Sequence, residues 1–291
     1  MLWFPLSLFC ALALATSDAL VKRVLGSGHD DYLVAWFRLL WALPIIIPLY
    51  FIFPAPLHGV EFFTPTLLAL PLELAALLLY VKALKLSPLS LTVPFLSLTP
   101  VFLLVVPTLL LGESLSLTGG FGVALIAIGG YSLHLGSLRH GLLAPFRKIG
   151  REPGSLCMIG VALLYSFTST LSKQAITASS PVAFAAFYFP LLAILMTPYA
   201  FWRLHRNRRI GSEKGTLKAT MLPGILFGLM IMSHMVAVNL VEVAYMISVK
   251  RLSLLFGVLY GYLLFGEEDL KQRLFGAALM VVGVALIMLG S

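Results

Sequence analysis

Charge is what this sequence has least of. Charged side chains make up 11% of its 291 residues while 60% are hydrophobic. Soluble domains carry roughly 25% charged residues, so a water-soluble fold would have too little polar surface to cover its apolar mass. Cysteine is nearly absent too. Cys10 and Cys157 are the only two, each alone in an apolar run, which excludes a disulfide framework and a thiolate metal cluster and leaves them as packing residues. There is no H-E-x-x-H, no Cys/His cluster and no paired-aspartate signature. His29-Asp30-Asp31 falls in a turn without supporting ligands. The chain is therefore not expected to be an enzyme, and no catalytic residue, metal or cofactor is expected.

What the sequence does have is long apolar runs, with a mean hydropathy of +1.00. A bilayer is crossed by about 20 apolar residues in helical form, and ten such spans fit between the polar breaks. They run over 3–25, 32–53, 66–84, 88–111, 117–135, 155–177, 181–202, 219–241, 244–265 and 274–289. The expected fold class is all-α integral membrane. The stretch ALALATSDA in the first span looks like a signal-peptide cleavage site, but Lys22 and Arg23 follow the apolar run instead of preceding it, so a retained helix is expected.

The chain also says the same thing twice. LLGESLSLTGGFGVALIAIGGYSL, from Leu110, overlays LFGEEDLKQRLFGAALMVVGVA, from Leu264, at an offset of 154, so that Gly112-Glu113 meets Gly266-Glu267, Gly122 meets Gly276 and Gly129 meets Gly283. At an offset of 151, Ala11–Lys22 overlays Ala162–Lys173. Small loop insertions explain offsets that creep. The division is then a first five-helix repeat over 1–136, a basic cytoplasmic linker over 137–154 and a second repeat over 155–291. A unit that crosses the bilayer five times starts and ends on opposite sides, so its second copy must be inverted relative to the first.

Lysine and arginine offer an independent check, because they accumulate in cytoplasmic loops. Sixteen of the 20 lie in the odd-numbered loops, which include the linker with Arg139, Arg147, Lys148 and Arg151, and the segment from Arg203 to Lys218. The opposite loops hold none apart from Lys173 at the end of span six. Loops one-two, five-six and seven-eight are expected in the cytoplasm and both termini outside. The net charge of +8 belongs to this bias, and RLHRNRRIGSEK, with spans on both sides, reads as topology and not as a nucleic-acid site.

LGE-S-L-S-x-x-G-x-x-G-x-x-L-I-x-x-G-G, preceded by Ala83-Leu84-Lys85-Leu86-Ser87 and SLTPVFLLVVPTLLLGE, resembles the EamA-type domains of the drug/metabolite transporter superfamily, over essentially the whole chain. The resemblance implies ten helices in two inverted repeats, a central cavity, and export or exchange of small metabolites across a bacterial inner membrane. The chain departs from the pattern where Leu254 stands in place of a second Pro100, and where loop two-three lacks the family's basic residues.

Candidate working residues are the ionisable groups inside spans, since each costs about 2.5–3.5 kcal/mol at a helix centre unless it faces protein or a wet cavity. Asp18 stands four residues before Lys22, as an ion pair with it or as a proton or cation site. Glu73 shares a stripe with Leu77 and Tyr80 and has no cation within one turn, which favours a substrate or proton role. Lys250, Ser253, Gly257 and Tyr260 form another stripe with Arg251 beside it; ammonium and guanidinium together suit a carboxylate or phosphate. The alternative is that they neutralise Glu73, Glu242 or Asp18. Arg38 is expected to reach the headgroups. His234, near Asn239 and Glu242, is a proton relay or a hydrogen-bonded histidine between helices. Tyr80 and Tyr165 would wall the cavity. Pro94, Pro100 and Pro107 make span four a candidate hinge. Gly112, Glu113, Gly266 and Glu267 read as structural turns, each carboxylate capping the helix that follows it. The glycines of spans five and ten, Gly224-x-x-x-Gly228 and Gly257-x-x-x-Gly261 read as helix-packing surface.

The function expected from these residues is alternating-access transport of a small organic metabolite such as an amino acid or amine, with the lipid bilayer and a proton or counter-solute as further partners and no nucleic acid. The alternative solute is phosphorylated or sugar-nucleotide-like. A membrane-embedded enzyme and a sensor without flux are the competing classes; the first lacks a nucleophile with its base, the second a soluble output domain.

Overall fold

The computed structural model describes residues 2–57, 59–86, 93–132, 153–206, 212–265 and 270–291, and these are helical almost throughout. Gly266, Glu267, linker residues 137–152 and the side chain of Pro94 lie outside the described residues. In the first half, α1 (Trp3–Gly26), α2 (Asp31–Ile52) and α3 (Val60–Leu86) are followed by a 3₁₀ segment at Val93–Leu98, α4 (Thr99–Phe102), α5 (Val106–Leu111) and α6 (Leu117–Ser132). The second half holds α7 (Pro153–Thr177), α8 (Pro181–Arg206), the short α9 (Ser212–Ala219), α10 (Met221–Leu240), α11 (Val243–Lys250), α12 (Ser253–Phe265) and α13 (Leu270–Gly290). Among the described residues seven helices are long and apolar enough to cross a membrane, and three shorter apolar stretches cover Phe95–Leu111, Leu117–Ser132 and Phe275–Gly290. The chain is a multi-pass membrane protein.

Two spans are discontinuous. Span four breaks after Phe102, where Leu104 and Val105 donate to the carbonyls of Val101 and Phe102, each at 3.1 Å. Pro100 and Pro107 fall in the first turns of α4 and α5, where a backbone N–H would have no partner in any case. These two prolines start helical pieces and do not interrupt one continuous helix. Span nine breaks at Arg251 and Leu252, where the turn tightens through Arg251 N–H to Ser248 O and Leu252 N–H to Val249 O, both 3.0 Å. The continuous stripe expected from Lys250 to Tyr260 is cut after its first member. No proline accounts for this break.

The halves interleave. α1 packs on α10 and α3 on α7, pairings that the repeat makes equivalent; α2 lies on α8 and α6 on α13. The start of α1 at Trp3 and the end region of α7 at Lys173 line one pocket, so the first helices of the two repeats run in opposite directions. That face also holds Glu113, the α10–α11 junction and Ser291. The opposite face joins the α1–α2 turn to the segment after α8: His29 meets Thr216 at 2.6 Å, and Asp30, which caps α2 through Tyr32 and Leu33 N–H, takes Arg203.

Glycine decides how close the halves come. A Cβ at Gly122 would lie 2.5 Å from the Gly283 carbonyl, and one at Gly129 2.6 Å from the Gly276 carbonyl; α6 and α13 meet backbone to backbone. Gly224 and Gly228 serve the same purpose against Trp41 and Ala42 of α2. Gly257 does not: nothing lies within 4 Å of a Cβ there, because the break in span nine turns it outward, and its expected packing role is corrected.

Candidate functional site

The two broken spans meet in the interior. Arg251, in the turn between α11 and α12, donates from Nη2 to Thr99 Oγ1 at 2.7 Å, and Thr99, first residue of α4, donates in turn to the Leu96 carbonyl at 2.8 Å. Beside it Lys250 Nζ stands 3.2 Å from His234 Nδ1 of α10. With Lys250 as an ammonium, which has only donors to offer, Nδ1 is the acceptor. The Cys10 thiol of α1 lies in the field of Lys250 and against Ser233, buried as expected of a packing residue.

Glu73 of α3 has the Thr168 hydroxyl of α7 beside its carboxylate and Lys250 within electrostatic reach. Tyr165 of α7 feels Glu73, Tyr80, Arg251 and Asp18; Tyr80 feels Asp18, Arg38 and Arg251. Tyr188 of α8 closes the side next to Glu73 and Tyr165. Glu73, Tyr80, Tyr165, Lys250 and Arg251 keep intermediate solvent accessibility although helices surround them.

Asp18 meets Arg38 Nη2 at 2.8 Å. This ion pair joins α1 to α2 and gives Asp18 a partner that its spacing from Lys22 does not point to. Arg38 does not reach the headgroups: its side chain is 15% exposed and its guanidinium lies 4.2 Å over the Phe227 ring. A desolvated guanidinium gains more from a carboxylate and an aromatic face than from snorkelling along a crowded helix. Asp18 itself is 55% exposed. Tyr260 is turned to α1, where its hydroxyl is 2.8 Å from Thr16, about 200° round the helix from Asp18. Of the candidates, then, Asp18, Glu73, Tyr80, Tyr165, His234, Lys250 and Arg251 share one neighbourhood, with Pro100 next to Thr99 at its edge, and Tyr260 stands on another flank of α1.

Glu73 and Asp18 act on Lys250 through charge at longer range. Among the described residues neither cation has a carboxylate at ion-pair distance; their partners are His234 and Thr99. The Arg251 Nε is buried and has no acceptor among the described residues.

The Gly-Glu turn is structural in a way that differs from the expectation. Gly112 ends α5 in the left-handed region at φ +68°, which a residue without Cβ adopts at no steric cost. Glu113, however, does not cap α6. Its Oε1 pairs with Lys173 of α7 and its Oε2 accepts Val243 N–H, the first of α11, at 2.9 Å, while Lys173 also donates to the Val241 carbonyl at 2.6 Å. Thr99, Thr168 and the partners of Glu113 escape a reading of sequence alone. The signal for the last was there, since Lys173 is the one cation on the sparsely charged side.

A family model described as the EamA-like transporter family matches residues 1–133 and again 152–289. No curated protein matches the chain. Among solved structures, one described as a crystal structure of a protein is 18% identical, covers 98% of this chain and 96% of its own, and superposes with a TM-score of 0.73, a likeness of fold alone. With both halves matched nearly end to end, the chain belongs to the EamA-like transporter family of the drug/metabolite transporter superfamily.

Proposed function

We propose that this protein is a secondary transporter that carries a small organic anion through the membrane by alternating access. In this reading the three shorter apolar helices complete ten crossings, arranged as two inverted five-helix repeats that rock about the site between α3, α4, α7, α10 and α11. The observation that carries the reading is the pair Lys250 and Arg251, two basic side chains deep in the bundle whose hydrogen-bond partners are an imidazole nitrogen and a hydroxyl. Buried charge is costly unless it is paired. A carboxylate or phosphate on the solute completes both.

Glu73 and Asp18 give the solute's other end its recognition. An amine on the solute, as in an amino acid, meets Glu73, the carboxylate across the cavity from the cations, and Asp18 is the more exposed alternative. A phosphorylated solute is the second reading, favoured by the fork of Arg251 standing next to an ammonium. Tyr80 and Tyr165 supply the walls. Charge bias in the loops supports cytoplasmic placement of loops one-two, five-six and seven-eight in the inner membrane, with both termini outside.

The test is a thermal-stabilisation screen of the purified chain against amino acids, amines, carboxylates and phosphorylated metabolites, followed by flux of any hit into vesicles. Stabilisation by anionic or zwitterionic solutes, lost in Lys250→Met, supports the reading. Stabilisation confined to neutral or cationic solutes, or chemical conversion of the hit, contradicts it.

A further inference from the structure

We infer that Thr99 is a positioning residue for the anion: it holds the Arg251 guanidinium in one plane from the opposite repeat, so that the buried Nε and its neighbour edge face the solute. This inference rests on the proposed anion site and adds to it a residue that no motif points to.

The argument starts from the donors of Arg251. A guanidinium offers five N–H groups in a rigid planar fork, and fixing one of them fixes the directions of the rest. Thr99 Oγ1 takes the Nη2 edge at 2.7 Å. The same hydroxyl spends its own proton on the Leu96 carbonyl at 2.8 Å, so it faces Arg251 only as an acceptor and cannot turn to compete with the solute for other donors. The Nε–H is left buried without an acceptor among the described residues. A buried charged donor without a partner is costly, and an oxyanion arriving between Arg251 and Lys250 supplies the partner. Tyr80 and Tyr165 lie in the field of the guanidinium.

Thr99 does this without neutralising the charge. A carboxylate in its place would hold the fork equally well but would cancel the attraction for an anion. A hydroxyl holds the plane and leaves the charge for the solute. The position of Thr99 makes the bond an interface between repeats as well: it is the first residue of α4 in the broken span of one half, and Arg251 sits at the break of the equivalent span in the other. Rocking of the halves therefore strains or releases the bond at the place where the solute binds.

The experiment compares full-length Thr99→Val, Thr99→Ser and Arg251→Lys with the parent chain, purified in detergent. Each is titrated with inorganic phosphate and with acetate at constant ionic strength, reading thermal stabilisation for a dissociation constant and the melting temperature without ligand. Valine keeps the shape and removes the acceptor; serine keeps the acceptor. The expected result is a dissociation constant raised about five- to tenfold in Thr99→Val, unchanged within twofold in Thr99→Ser and raised at least tenfold in Arg251→Lys. If Thr99→Val lowers the melting temperature but binds as the parent does while Arg251→Lys is weakened, Thr99 is a packing residue; the positioning role falls and the anion site stands. If Arg251→Lys also binds as the parent does, or if neither probe binds the parent saturably, the anion site falls and this inference with it.

Discussion

The Glu113 carboxylate accepts the Val243 N–H at 2.9 Å and pairs through its other oxygen with Lys173. A turn of the first repeat thereby caps α11 of the second, the half-helix that ends at Lys250. Ser116, three residues on, adds to the grip: its N–H donates to the Tyr245 hydroxyl at 3.1 Å, and a Cβ at neighbouring Gly119 would fall 2.0 Å from that hydroxyl. One end of α11 is thus clamped to the other half while its far end presents the cations.

Removing one partner of this pair leaves the other charge desolvated, since Glu113 is 10% and Lys173 14% exposed. Glu113→Ala is expected to cost about 3–5 kcal/mol, and Glu113→Gln, which keeps an acceptor for Val243 N–H, less. Combining Glu113→Gln with Lys173→Met should destabilise by less than the two single costs added. Thermal unfolding of the purified variants reads all three, and additive losses would mean that the two side chains do not act on each other.

The contact between α6 and α13 tolerates no side chain at its glycines. Gly122→Val or Gly283→Val should abolish a monodisperse peak on size exclusion, because a Cβ would stand 2.5 to 2.6 Å from a facing carbonyl. Gly120→Ala, with nothing within 4 Å, should behave as the parent. Equal behaviour of Gly120→Ala and Gly122→Val would refute the backbone contact.

Most of the architecture is legible before coordinates. Apolar length marks the spans, and the overlay of Gly112-Glu113 on Gly266-Glu267 marks the repeat, because these are local properties of the chain. The neighbourhood of Asp18, Glu73, Tyr80, Tyr165, Lys250 and Arg251 is readable too, since a charge inside an apolar run has few places to go. What fails is partner choice. Lys22 is the basic residue nearest Asp18 in sequence, and Arg38 of the next helix meets Asp18 as well; Glu113 precedes α6 and caps α11. A one-dimensional reading ranks partners by sequence separation, and tertiary contact does not. The break at Arg251 is missed for a different reason: it carries no proline, and a tightened turn leaves no mark on hydropathy.

Pro100 and Pro107 each open a helical piece, and their replacement restores N–H groups that can reach the Leu96 and Leu103 carbonyls and extend the helix through both junctions. Pro100→Ala with Pro107→Ala is expected to slow vesicle flux several-fold while leaving ligand stabilisation within twofold of the parent. An unchanged transport rate would remove span four from the opening motion.

The proposed orientation has both termini outside. A cysteine-bearing tag at either end should react with a membrane-impermeant reagent in intact cells, and labelling that needs access from the cytoplasm would reverse the orientation.

Neutralising Glu73 should change the affinity for an amine-bearing solute or the pH dependence of its flux. Glu73→Gln carrying solute as the parent does over a wide pH range would leave this carboxylate as a partner of Thr168 and nothing more.

The account turns on anions crossing by way of Lys250 and Arg251, and the most direct measurement is exchange of a radiolabelled anionic solute, chosen from the stabilisation screen, across vesicles containing the full chain. Saturable exchange that disappears in both Lys250→Met and Arg251→Lys, with each variant still folded, is the predicted result. Saturable exchange that survives both substitutions would contradict it.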